Sequence, residues 1–114
     1  MGSFAAGSVV LVPFPFSDLS RSKLRPAVVL AEADRDDLIL CQVTSNPYSD
    51  GAAEALTSSD FLAGSLQRVS YARPGKLFTA NTSLIVGDVG MLQDAARDRL
   101  IDAVVAILRK AAKR

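Results

Sequence analysis

The chain has 114 residues, 49% of them apolar, and its 13 Lys+Arg against 12 Asp+Glu leave a net charge of +1. This length and composition predict one globular domain over 4–114, small enough for dimerisation to help it. The near-neutral balance means that any nucleic-acid role must rest on where the cations lie, and with Cys41 the only cysteine and no histidine, an internal disulfide, a zinc site and a Cys–His nucleophile are all argued against.

The predicted elements are strands until the last quarter. A first strand over 8–14 is β-branched and runs into Pro13-Phe14-Pro15-Phe16, so its end belongs at a sheet edge or outside the sheet. Residues 17–24 form a small, polar and charged loop that ends on Arg25-Pro26. Pro26 biases Arg25 towards extended backbone, at the foot of the loop where a second strand, 26–32, begins. The charged turn Ala33-Asp34-Arg35-Asp36 then leads into a third strand, 38–44, and predicts an antiparallel hairpin. Within it Leu38, Leu40, Gln42 and Thr44 share one face, Ile39, Cys41 and Val43 the other. Thr44 closes the strand before Ser45-Asn46-Pro47.

Residues 45–64 read as loop, with a short strand over 55–57 and one serine-capped helical turn over 58–62. Strands return at 66–72, 76–79 and 83–89, separated by Arg73-Pro74-Gly75 and Ala80-Asn81-Thr82. Such frequent turns between short strands predict a small barrel or strongly curled sheet. From Asp94 to about Arg109, Leu100, Ile101, Val104, Val105 and Leu108 recur at helical spacing, which predicts one amphipathic helix packed on the sheet with Asp94 as its N-cap. No apolar run approaches the roughly 20 residues of a membrane span, so the protein is expected to be soluble and cytoplasmic, with no membrane partner.

Without histidine or a carboxylate cluster, the chemistry left is that of a guanidinium, hydroxyls and backbone groups. An arginine at a strand start and a threonine at the end of a neighbouring strand converge in one groove on this reading. A guanidinium forms bidentate hydrogen bonds to phosphate and stabilises charge on its oxygens. RNA supplies its own nucleophile, the 2′-OH. Arginine is always protonated, so Arg25 is assigned electrostatic stabilisation, with proton donation open to it, and no general base is assigned. Taken alone, Arg25 reads more readily as a carboxylate-paired loop anchor and Thr44 as an ordinary strand residue, whose claim to a role depends on Arg25. Arg21, Lys23, Arg73 and Lys76 are either a solvated surface or contacts to an RNA backbone. Cys41 reads as a small buried hydrophobe.

The stretch 7–30, with PFPFSDLSRSKLRPAVVL, resembles the first hairpin of the MazF/PemK family of toxins from bacterial toxin–antitoxin modules. The resemblance continues through LCQVTSNP at 40–47, SYARPGKL at 70–77 and IVGDVGML at 85–92, and so covers nearly the whole chain. It implies an SH3-like barrel with a long C-terminal helix, a homodimer, and metal-independent endoribonuclease activity on single-stranded RNA. It also implies that Arg25 and Thr44 are the catalytic pair, that cleavage leaves a 2′,3′-cyclic phosphate and a 5′-hydroxyl, and that a cognate antitoxin occupies the RNA groove. Ser45 of the Thr-Ser step joins Arg21, Lys23, Arg73 and Lys76 as an RNA-binding candidate; no metal ligand and no cofactor are implied. The chain departs from the family pattern at Ser8, where an acidic residue is common, and in the lack of acidic or glutamine residues over 70–76. Two alternatives stand beside the nuclease: a CcdB-like gyrase poison that is not an enzyme, and an inactive relative that binds RNA or antitoxin.

Overall fold

The structure, a computed structural model, describes residues 4–15, 22–47 and 50–112. In chain order the elements are β1 (Ser8–Pro15), β2 (Ser22–Glu32), β3 (Asp37–Thr44), β4 (Glu54–Leu56), a 3₁₀ turn (Ser58–Asp60), β5 (Phe61–Gly64), β6 (Ser70–Asn81), a second 3₁₀ turn (Thr82–Leu84), β7 (Gly87–Leu92) and α1 (Asp94–Ala112). The strands form one antiparallel sheet in the order β4-β6-β3-β2-β1-β7-β5.

The two edge strands of this sheet, β4 and β5, are consecutive in the chain, with only 57–60 between them. The sheet therefore has to curl until its edges approach, and Leu56 of β4 and Phe61 of β5 are buried in the same core cluster. The result is a nearly closed barrel with one C-terminal helix, as the turn pattern predicts. Arg99 of the helix braces the seam: its guanidinium reaches Glu54 Oε1 and Asp60 Oδ1, each at 3.3 Å. Burial works against the charged Asp60 carboxylate, but the Thr57 N–H and Arg99 outweigh it and hold that carboxyl below its ordinary range.

The central strands are buried on both faces, which explains their nearly unbroken apolar runs. On one face Val9, Val28, Cys41, Val43, Ala72 and Leu92 pack with Ala96 and Leu100 of the helix. On the other, Val10, Val12, Ala27, Val29, Leu38, Leu40 and Ala80 form a second cluster, with Phe4, Phe78 and Ile85 against it. The β2–β3 hairpin forms as expected, its turn carrying Arg35 and Asp36 at φ 51° and 70°, the sign pattern of a type I′ turn.

Six expectations need correction. Strand β2 begins at Ser22, so Arg25 lies inside a paired strand and not at its start. The segments 66–72 and 76–79 are not two strands with a turn at Arg73-Pro74-Gly75; Ser70–Asn81 is one strand that bulges there. Phe61 and Leu62 belong to β5 and not to the preceding helical turn. The segment 83–89 opens as a 3₁₀ turn capped by the Asn81 side chain, and strand pairing starts only at Gly87. In the helix, Ala96, Leu100 and Val104 are buried, whereas Val105 and Leu108 are exposed, so the apolar stripe is only partly covered by the sheet. Asp94 is the first helical residue and not the cap. Among the described residues, no helix is long and apolar enough to cross a membrane.

Candidate catalytic groove

Arg25 is placed by one ladder and lies two residues beyond the end of another. On one side it is paired with Val12, which is buried. Strand β7 follows β1 only as far as Leu11, so beyond it β1 has β2 alone, which is where Pro13 and Pro15, lacking N–H donors, are tolerated. On its other side β2 pairs with β3 only up to Ala27–Gln42; Arg25 and Thr44 lie two residues beyond that last pair, where the same register, if carried on, would put them across from each other. Opposed residues of antiparallel strands project from the same face. That face is the one holding Val12, Ala27, Val29 and Leu40. The groove thus begins where the second core cluster runs out: apolar residues give way to Gln42, Thr44 and Arg25, all half-buried, and then to exposed Lys23.

Thr44 ends β3, paired with Tyr71 of β6. Its hydroxyl oxygen accepts the Asn46 N–H at 3.1 Å and lies 3.1 Å from the Asn46 carbonyl, to which it donates. This local turn steers the chain away from the sheet directly after the hydroxyl. Ser45 follows on the exposed exit.

The other wall comes from the β6 bulge. Pairing runs from Cys41–Leu77 to Val43–Ala72, so Gln42 alone stands against four residues, 73–76. A bulge of this kind accommodates Pro74, which is fully buried and has no N–H to offer a ladder. The Cys41 thiol donates to the Arg73 carbonyl at 3.1 Å and helps fix the bulge. Burial is the main reason that this thiol is pushed up to about 12, against the lowering effect of that hydrogen bond.

Arg73 donates its Nε–H to Asp50 Oδ2 at 2.9 Å, the two side chains being 21% and 17% exposed. Asp50 also accepts the Ala52 N–H at 3.0 Å. The Arg73 hydrogen bond, then the Ala52 N–H, lower the Asp50 carboxyl from its ordinary value, and the charge of Lys76 adds to the effect. Beside these groups lies a groove of about 300 Å³ lined by Gln42, Arg73, Lys76, Leu77 and Phe78.

Of the seven residues expected in the site, Lys23, Arg25 and Thr44 share one face, Arg73 and Lys76 flank it across Gln42, and Ser45 sits at the exit. Arg21 lies outside the described residues. Two participants escaped sequence reasoning. Gln42 had a signal, since alternation puts it on the face of Thr44; Asp50 had none, because its partner is 23 residues away. Among the described residues, no group of three or more His, Cys, Asp or Glu is placed to hold a metal ion. The arrangement offers cationic donors beside a hydroxyl over an apolar floor, which suits a phosphodiester better than an apolar or cationic ligand.

No protein-family model matches the chain, and no curated protein matches it. Solved structures do match in shape. One is an endoribonuclease in complex with its cognate antitoxin from mycobacterial species, 16% identical, with a TM-score of 0.70 over 95% of this chain and 95% of that one. A chain of MazE–MazF from Deinococcus radiodurans is 16% identical, with a TM-score of 0.71 over 90% of this chain and 94% of its own length. The Mycobacterium tuberculosis toxin MazF-mt6 is 13% identical, with a TM-score of 0.64 over 88% and 96%. At these identities the likeness is one of fold, and the fold is that of the MazF barrel.

Proposed function

We propose that this chain, which has the fold of the MazF toxins, is the toxin of a toxin–antitoxin pair and acts in the cytoplasm as an endoribonuclease on single-stranded RNA. The observation that supports the reading is the Ala27–Gln42 pairing that ends the β2–β3 ladder: carried on by two residues, its register puts Arg25 across from Thr44 at the open end of the apolar floor, with Lys23 two residues from Arg25 on the same face. A phosphodiester laid across this face brings its non-bridging oxygens to the guanidinium. The ribose 2′-oxygen then attacks the adjacent phosphorus; the O2′–P bond forms as the P–O5′ bond breaks. The proton lost from O2′ is balanced by one gained at O5′, and the products are a 2′,3′-cyclic phosphate and a 5′-hydroxyl. Arg25 stabilises the charge that builds on the phosphoryl oxygens, and Thr44 turns its hydroxyl proton from the Asn46 carbonyl to the same group. The nucleophile belongs to the substrate, so the reaction requires no metal-bound water and no protein nucleophile.

The partners follow from the same reading. An antitoxin would cover the groove, as expected of a chain whose structural neighbours include an endoribonuclease held by its cognate antitoxin. A second copy of the chain would cover the exposed helix residues Val105 and Leu108. The test is incubation of the purified protein with long single-stranded RNA in EDTA, with Arg25→Ala and Thr44→Ala in parallel. Sequence-specific cuts that disappear in both variants are expected. Intact RNA across substrates of varied sequence contradicts the proposal, and cuts that persist in both variants contradict the assigned pair.

A further inference from the structure

The groove next to the catalytic pair is not needed to stabilise a phosphate, yet it is built from residues suited to a base. Gln42 is half-buried, and among the described residues its side-chain amide has no hydrogen-bond partner. Its neighbour across the β2–β3 ladder is Ala27, whose single methyl leaves the amide uncrowded on that side. On the β6 side the ladder is interrupted over 73–76, so no paired side chain stands opposite it. The ring of Phe78, held against the second core cluster, forms one wall, and exposed Lys76 stands at the rim. Arg73 is held in place by Asp50.

Resting on the endoribonuclease reading above, we propose that this groove is a nucleobase subsite and that Gln42 sets the base preference at one position flanking the cut. An amide presents a donor and an acceptor side by side, which pairs with the edge of an unstacked base; an aromatic ring beside it offers a stacking surface. Gln42 and Thr44 are two residues apart on one face of β3, a spacing of about 7 Å. That is the separation between a reacting phosphate and the base of an adjoining nucleotide, which places the subsite next to the scissile bond. Lys76 at the rim contacts the backbone and adds affinity without sequence preference.

The experiment is cleavage of an RNA pool randomised around the cut, with fragment ends sequenced for the unaltered protein, Gln42→Met and Gln42→Ala. Methionine keeps the length of the side chain and removes both hydrogen bonds; alanine guards against an artefact of either substitution, and a melting curve for each variant reports folding. The expected result is a preference that falls about tenfold at one position beside the cut in both variants. Preferences at all other positions stay as they were. Unchanged preferences at every position, or an equal weakening at all positions, overturns the subsite while leaving the nuclease intact. Absence of cutting by the unaltered protein instead overturns the reading on which the subsite rests.

Discussion

Asp50 Oδ2 accepts the Nε–H of Arg73 at 2.9 Å, tying the chain that leaves β3 to the bulge of β6. The carboxyl is lowered, so its contribution to folding is present above the ordinary Asp value of about 3.9 and is lost as pH falls through the lower folded value. Asp50→Asn is expected to melt at a lower temperature than the unaltered chain near neutral pH, with the gap closing below about pH 4. A gap as wide at pH 3 as at pH 7 would show that the ion pair is not its source.

Arg25 is half-buried at the foot of the groove, beyond the core proper, so its removal should affect chemistry more than folding. Arg25→Ala is expected to slow RNA cleavage by about 10²–10³-fold with a nearly unchanged melting temperature. Arg25→Lys keeps the charge but not the two-pronged geometry and should fall between the two. Single-turnover cleavage of one defined RNA measures all three; equal rates for Arg25→Ala and the unaltered chain would remove Arg25 from the mechanism.

Cys41 is fully buried between β2 and β6, and burial raises its thiol to about 12. A thiol reagent at pH 8 should therefore leave the folded protein untouched and react with one equivalent in denaturant. Rapid reaction of the folded protein would mean that the β3–β6 bulge opens on the time scale of the assay.

Gly64 turns the end of β5 with φ +69°, and a Cβ there would lie 2.2 Å from the Val89 carbonyl oxygen. Gly64→Ala is expected to cost about 2 kcal/mol or more, from left-handed backbone and a steric clash that only movement of β5 relieves. Gly51→Ala is the control, since among the described residues nothing lies within 4 Å of the added methyl. Urea denaturation compares them; equal stability would mean that β5 contributes nothing to closing the barrel.

The hairpin, the barrel class and the terminal helix were legible because each has a local cause. The apolar runs of β1, β2 and β3 are buried on two faces, and the turn at Arg35 and Asp36 has charged, exposed residues. Arg73-Pro74-Gly75 misled because a proline and a glycine together normally signal a turn; here the bulge opposite Gln42 takes up the missing N–H and the strand continues. The stretch around Leu84 and Val86 misled for a different reason, since its apolar residues look like a strand but remain exposed. In the site, Arg25 and Thr44 could be named from order along the chain, whereas whether they face each other depends on carrying on a register whose last pair is Ala27–Gln42. Asp50 became part of the groove only through tertiary contact with Arg73.

If RNA is cut by its own 2′-hydroxyl beside Arg25 and Thr44, the chemistry of the new ends shows it directly. RNA fragments produced in EDTA should carry 2′,3′-cyclic phosphates on their 3′ ends and free 5′-hydroxyls, identified by mass and by ligation to a phosphorylated adaptor. Fragments with 3′-hydroxyls and 5′-phosphates would require an external water as nucleophile and would contradict the account.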